Sequence, residues 1–297
     1  MKTGIIGILN NPAVSENSHS SGMVNIVKCL FEAKVLTEKD NWEDYDRLII
    51  YHGVNFKEGS FNVIGGINEG VLKRAYMLQA YKGQVYTHDG FQLNDFSNKR
   101  KIKEFDGYKT IEKINVPIKN KMVLGDSHSI SVWPNKEYGI FRNDGKTLYG
   151  FLKLNLDWSK YEHVIMYFGN IDLRFHLCRQ QDPIKATEDL FNRYCEYAAK
   201  FNATITHLLP IEDESRILPK SGQYKGHNFF GNIQQRKELR LIANKIMSSS
   251  GLQVIEWPSL FCDEKGELKF EIMEPRQSVH LKPKYYQPEL KKQLTLF

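Results

Sequence analysis

The sequence predicts an α/β protein built as two wound domains in tandem, each on a parallel sheet. Three observations carry that expectation. Short apolar runs alternate with helix-like segments along the first hundred residues, and apolar runs in the remainder end in glycine-led polar turns. Between the two parts lies a charged stretch, Asn98-Lys99-Arg100-Lys101-Ile102-Lys103-Glu104. Strands that alternate with helices imply parallel β-α-β units. A chain of 297 residues with 41% hydrophobic content is long enough for two domains of roughly 100 to 200 residues each.

In the first part, Thr3 to Leu9 reads as a strand, Gly22 to Ala33 as a helix and Arg47 to Tyr51 as a strand. Val71 to Tyr81 follows as a helix and Gln84 to Thr87 as a strand. Gly4 and Gly7 fall inside the first strand, not between strand and helix, so they do not make a dinucleotide fingerprint. Asn10-Asn11-Pro12 and Ser15 to Gly22 form a polar loop that reads as a solvated connector, with N–H groups presented to an anionic ligand as the alternative. The boundary is placed near Pro117, which gives domains 1–117 and 118–288 and a tail 289–297.

The second part opens on the apolar run Met122-Val123-Leu124. Further strands are expected over Glu162 to Phe168, in the run Thr204 to Pro210 and over Gln253 to Trp257, with Ser278-Val279-His280-Leu281 after the last. Asn232 to Met247 has Ile233, Leu239, Ile242, Ile246 and Met247 at helical spacing, which predicts a core face. Arg236, Lys237, Arg240 and Lys245 then form a solvated basic face.

Two polar turns carry candidate chemistry. Gly125-Asp126-Ser127-His128-Ser129 follows the first strand of the second part, and a serine on a strand-to-loop turn can present its hydroxyl as a nucleophile. It then needs a base within hydrogen-bond reach and N–H donors for the developing oxyanion. Gly169-Asn170-Ile171-Asp172-Leu173-Arg174-Phe175-His176 follows the next strand. In open parallel sheets the site lies outside the carboxyl ends of the strands, so Ser127, Asp172 and His280 can converge despite their separation.

On these residues the second part resembles the SGNH, or GDSL, hydrolase superfamily, from Lys121 to about Tyr286. The resemblance implies a flavodoxin-like three-layer sandwich, Ser127 as nucleophile and His280 as general base. The Ser127 N–H with Gly145 or Gly150 would form the oxyanion hole. Gln277 stands where the family carries the aspartate that orients the histidine, and Glu274 or Asp126 could take its place. Ile171-Asp172 with Arg174 and His176 is similar to a rarer subgroup, in which Asp172, Arg174 and His176 would position the substrate. Gly125, Asp126, His128, Gly169 and Asn170 would complete the binding surface.

The first hundred residues resemble the first domain of the T-even phage DNA glucosyltransferases, through Asp44 to Ile49, Val54-Asn55-Phe56 and Val85-Tyr86-Thr87-His88-Asp89. By that resemblance Asp89 would be the base toward a hydroxymethylated cytosine, with a nucleotide-sugar donor. The tail Gln293-Leu294-Thr295-Leu296-Phe297 resembles the peptide by which replication and repair enzymes dock into a DNA sliding clamp, with Gln293, Leu294, Leu296 and Phe297 as contacts. Taken together, these resemblances imply a phage-type DNA-modifying enzyme that transfers or hydrolyses an ester-like group on a DNA base. Glycosyl transfer through Asp89 and a non-catalytic clamp or DNA adaptor are the alternatives.

Composition narrows the rest. The formal charge of +6 is compatible with DNA as a partner. Cys29, Cys178, Cys195 and Cys262 are scattered without paired spacing, which predicts free thiols in a reducing compartment and excludes a disulfide framework or zinc ribbon. No segment approaches the roughly 20 apolar residues of a membrane span and no export signal opens the chain, so a cytoplasmic protein without membrane contact is expected. His163 and His207 lie in strands and read as core histidines; neither metal nor, for the hydrolase reading, cofactor is expected.

Overall fold

The computed structural model describes residues 1–6, 25–26, 28–37, 39–51, 77, 80–88, 112–113, 119–143, 145–212, 229–274 and 279–287. The chain divides into two compact units, Met1–Glu16 with Ser20–Ile118, and Asn17–His19 with Lys119–Phe297. Each holds its own five-stranded sheet.

In the first unit the strands are β1 (Thr3–Ile6), β2 (Lys34–Val35), β3 (Arg47–Tyr51), β4 (Gln84–His88) and β5 (Glu112–Lys113), in the order β2-β1-β3-β4-β5. Every pairing is parallel. All four residues of β1 are buried, as expected of a parallel strand covered on both faces. Ile6, Leu36, Trp42, Leu48, Tyr81 and Val85 form the core beside the sheet. Tyr81 brings a hydroxyl into that core and satisfies it by donating to the Tyr45 carbonyl at 2.6 Å.

The second unit repeats the winding with β6 (Lys121–Gly125), β7 (Tyr138–Arg142), β8 (His163–Tyr167), β9 (Thr204–Thr206) and β10 (Val254–Ile255). Their order is β10-β9-β8-β6-β7, again parallel throughout. Counted from its own first strand this is the doubly wound order 2-1-3-4-5, in which the order reverses between the first and third strands, here β6 and β8. Register pairs Gly125 with Tyr167 on one side and Arg142 on the other, so β6 and β8 end level with each other.

Among the described residues four α-helices accompany this sheet: α1 (Leu148–Leu152), α2 (Asn170–Phe175), α3 (Pro183–Ala199) and α4 (Ile233–Ser248). α3 starts where Asp182 accepts the Lys185 N–H and Pro183 takes the first turn, where a missing N–H costs nothing. It buries Leu190, Phe191, Tyr194, Tyr197 and Ala198 on one face. α4 opens with a reciprocal capping box between Asn232 and Gln235. Among the described residues no helix is long and apolar enough to cross a membrane.

The α4 helix expected from the sequence is present, with Leu239 and Met247 of its expected core face buried and Ile233, Ile242 and Ile246 partly buried. Arg236, Leu239, Ala243 and Met247 are buried, while Leu241 is largely exposed. Arg236, expected on the solvated face, turns inward because its guanidinium donates to the Gly231 carbonyl at 2.6 Å and lies over the Phe229 ring. The run Thr204 to Pro210 is a strand only to Thr206. Beyond it the His207 N–H still donates to the Ile255 carbonyl, but the Leu208 N–H is taken by the Asn244 side chain. The boundary residue Pro117 and the expected polar loop from Asn10 to Gly22 lie outside the described residues.

Candidate functional site

Ser127 follows β6 at the point where the strand order reverses. Gly125 allows the turn, because a Cβ there would stand 2.5 Å from both the Tyr167 carbonyl oxygen and the Ser129 Cβ. The Asp126 N–H continues the ladder to the Tyr167 carbonyl, and the Ser129 N–H and hydroxyl then both donate to the Asp126 carbonyl. A short 3₁₀ turn from Ser129 to Val132 completes the reversal. Asp126 and His128 are buried and Ser127 is left partly exposed between them.

His280 comes from the far end of the chain, and its Nε2 lies 2.7 Å from the Ser127 Oγ. The segment that carries it pairs antiparallel with the residues before it: Met273 bridges Leu281, the Glu274 N–H donates to the His280 carbonyl, and the Lys282 N–H donates to the Ile272 carbonyl. Glu274 is therefore directly opposite His280, where cross-strand side chains meet. A Glu274 carboxylate oxygen stands 3.8 Å from His280 Nδ1, with the two side chains 5% and 16% exposed. Serine, imidazole and carboxylate thus lie in line, the carboxylate on the ring nitrogen away from the serine.

Beneath this line runs a buried polar chain. His128 Nδ1 is 2.9 Å from Asp126 Oδ1, which also accepts the His128 N–H. His128 Nε2 lies 3.3 Å from both the Val279 carbonyl oxygen and the Arg174 Nη1. Arg174 donates through Nε at 2.6 Å, and through Nη2, to Glu212 Oε1. Asp126, His128 and Arg174, expected near the substrate, with His128 read as a hydrogen-bonded neighbour of the turn, are all buried in this series of contacts. An interior cation such as Arg174 is tolerable only when paired.

Asp172 lies in the first turn of α2. It is buried, and its two oxygens accept the Leu148 and Tyr149 N–H groups at 2.6 and 3.2 Å, which ties the start of α1 to α2. Burial raises its pKa to about 7 against the pull of those donors, and the nearby Asp126 charge adds to the rise. Gly169 takes the left-handed conformation at φ 105° ahead of α2, where a Cβ would also press on Phe191. Asn170 is buried at the head of α2; its Oδ1 accepts the Leu209 N–H, and its Nδ2 finds no hydrogen-bond partner among the described residues. His176 caps the end of α2, half-buried, and burial ahead of Arg179 lowers its pKa.

Of the two glycines considered for an oxyanion hole, Gly150 has its N–H engaged by the Thr147 hydroxyl at 3.0 Å. Gly145 has a left-handed backbone at φ 77° in the loop after β7. His163 bridges the Tyr138 and Thr204 hydroxyls, and His207 contacts the Ser248 hydroxyl. Among the described residues no group of three His, Cys, Asp or Glu side chains could hold a metal ion. Asp89, Gln277 and the tail residues Gln293, Leu294, Leu296 and Phe297 lie outside the described residues. Glu212 has no sequence signal beyond its place at the end of an apolar run.

No family model matches the chain, and no curated protein matches it. Among solved structures it is similar to a GDSL-like lipase from Bacteroides thetaiotaomicron, at 13% identity over 59% of this chain and 87% of that one, with a TM-score of 0.40. A carbohydrate acetylesterase from Sinorhizobium meliloti, Est24, is similar at 12% identity over 60% of this chain and 100% of that one, with a TM-score of 0.37. A lipase/acylhydrolase from Enterococcus faecalis is similar at 16% identity over 52% of this chain and 88% of that one, with a TM-score of 0.32.

Proposed function

We propose that the second unit is a serine hydrolase or acyl transferase of the SGNH type, acting on an ester-like bond. The observation that carries this reading is the 2.7 Å approach of His280 Nε2 to the Ser127 Oγ, across 153 positions of sequence. Ser127 attacks the carbonyl carbon while His280 removes the hydroxyl proton, and the same imidazole returns that proton to the departing alcohol. Glu274 orients the ring and stabilises the imidazolium as it forms. The Ser127 and Gly145 N–H groups are the proposed donors to the oxyanion. Water or a second alcohol then resolves the acyl-enzyme, which makes hydrolysis and transfer two outcomes of one site.

Ser127→Ala tests this reading. The variant is expected to lose p-nitrophenyl acetate hydrolysis while melting within a few degrees of the wild type, since it removes one partly exposed hydroxyl, worth about 1 kcal/mol. A variant as active as the wild type would overturn the assignment.

The finer part of the proposal is the acceptor, a hydroxymethylated DNA base or a group attached to it. It is supported by the resemblance of the first hundred residues and of the clamp-like tail. Mass spectrometry of nucleosides from DNA made with and without the protein tests it: an acylated or deacylated base is expected, a hexosylated base would favour glycosyl transfer through Asp89, and an unchanged profile would remove DNA as the substrate.

A further inference from the structure

We propose that His128 is a positioning residue for the reaction, holding the His280 segment against Ser127. This inference rests on the Ser127–His280 reading and adds a role that neither residue supplies. His280 has to arrive from a segment whose downstream side is fixed by the bridge between Met273 and Leu281. On its upstream side the Val279 carbonyl oxygen lies 3.3 Å from His128 Nε2. The two imidazole rings also lie against each other, with centroids 4.8 Å apart and planes at 42°. His280 is therefore gripped by its main chain and by its ring face, both times by the residue next to the nucleophile.

His128 can serve as an anchor because it is itself immobilised. Asp126 Oδ1 accepts its backbone N–H at 2.8 Å and meets its Nδ1 at 2.9 Å. The ring is 3% exposed and bounded by the Tyr167 ring, with centroids 6.0 Å apart. Arg174, held by Glu212, closes the Nε2 side at 3.3 Å. With a proton on Nε2 the ring donates to Val279, and with none it accepts from Arg174; the ring face stays against His280 in both cases. One rigid side chain thus links the turn that bears the nucleophile, the α2 helix through Arg174, and the segment that bears the base. Nucleophile and base are then placed relative to each other by a side chain adjacent in sequence to one and in contact with the other.

The experiment compares wild type with His128→Asn and His128→Gln, each carried forward as a cooperatively melting protein. Asparagine keeps an amide near the Nδ1 position for Asp126 but removes the ring face and the reach to Val279. Glutamine restores an amide near the Nε2 position. For p-nitrophenyl acetate, His128→Asn is expected to lower kcat by about 10- to 100-fold with KM unchanged, because a misplacement of about 1 Å costs on that order. Glutamine is expected to recover part of the loss, and the rate of Ser127 labelling by a fluorophosphonate should follow the same order. A folded asparagine variant with wild-type kcat and labelling rate would overturn the role. Should asparagine prevent folding, glutamine decides by the same readouts: a kcat lowered several-fold with KM unchanged and Ser127 labelling slowed in step is expected, and wild-type kcat and labelling rate would overturn the role. A wild-type protein inert to both reagents would instead defeat the Ser127–His280 reading, and this role with it.

Discussion

Glu274→Gln probes the carboxylate that faces His280 without changing side-chain size. In the proposed mechanism the imidazole becomes cationic as Ser127 gives up its proton, and the Glu274 carboxylate lies 3.8 Å from Nδ1. Two unit charges at that separation attract by about 4 kcal/mol at an effective dielectric of about 20. His280 is 16% exposed, so solvent screens part of this, and a loss of about 2–4 kcal/mol is expected. Since 1.36 kcal/mol is a factor of ten, kcat should fall by roughly 30- to 1000-fold. The backbone bridge that places His280 does not involve the carboxylate, and KM for p-nitrophenyl acetate should stay close to wild type. Steady-state hydrolysis at fixed pH and ionic strength gives both constants. A folded Glu274→Gln enzyme within about threefold of wild-type kcat would refute the electrostatic role assigned to this residue.

Three further changes test the scaffold beneath the site. Gly125→Ala should destabilise the second unit by about 1–3 kcal/mol and slow labelling of Ser127, because the new Cβ meets a backbone oxygen and the Ser129 Cβ that cannot both move aside; urea unfolding reads the first effect. Arg174→Met strands the Glu212 carboxylate in the interior and should cost about 3–5 kcal/mol by the same measurement, whereas replacing Arg174 with Met and Glu212 with Leu together should recover much of that loss. Asp172 has a folded-state pKa raised from 3.8 to about 7, so the folded protein holds its proton more tightly than the unfolded chain. Its contribution to stability is complete below pH about 4 and is lost as pH rises through about 7, on the order of 2–4 kcal/mol, and Asp172→Asn should flatten that slope in unfolding experiments between pH 4 and 7.

Much of the fold was legible because a parallel sheet buries both faces of its strands. Arg47-Leu48-Ile49-Ile50-Tyr51 and the runs around Met122 and Val164 are continuous apolar segments bounded by polar turns, and β3, β6 and β8 sit there. β7 was not anticipated: Tyr138-Gly139-Ile140-Phe141-Arg142 is an edge strand, interrupted by a glycine and closed by an arginine. α3 was also missed, although Asp182, Pro183 and its aromatic stripe are helix signals plainly present in the sequence. Leucine and isoleucine spacing in α4 found Leu239 and Met247 on its buried face but missed Arg236, a buried arginine at a core position.

The candidate site was legible in part for a similar reason. Turns after parallel strands converge at one end of the sheet, so Ser127 could be singled out from the glycine-led turn Gly125-Asp126-Ser127 after an apolar run. Glu274 sits opposite His280 only because an antiparallel bridge folds the segment back, and that pairing leaves no fixed spacing in the chain. Asp126, His128, Arg174 and Asp172 are polar residues in polar turns, which in sequence look solvent-facing. Their burial follows from partners contributed by other segments, Glu212 and the N–H groups of Leu148 and Tyr149 among them.

Mass spectrometry of protein treated with a fluorophosphonate bears on the nucleophile most directly. The account predicts one adduct, on the peptide that contains Ser127, formed far more slowly in His280→Gln. An adduct on a different residue, no adduct at all, or equal rates with and without the imidazole would contradict it.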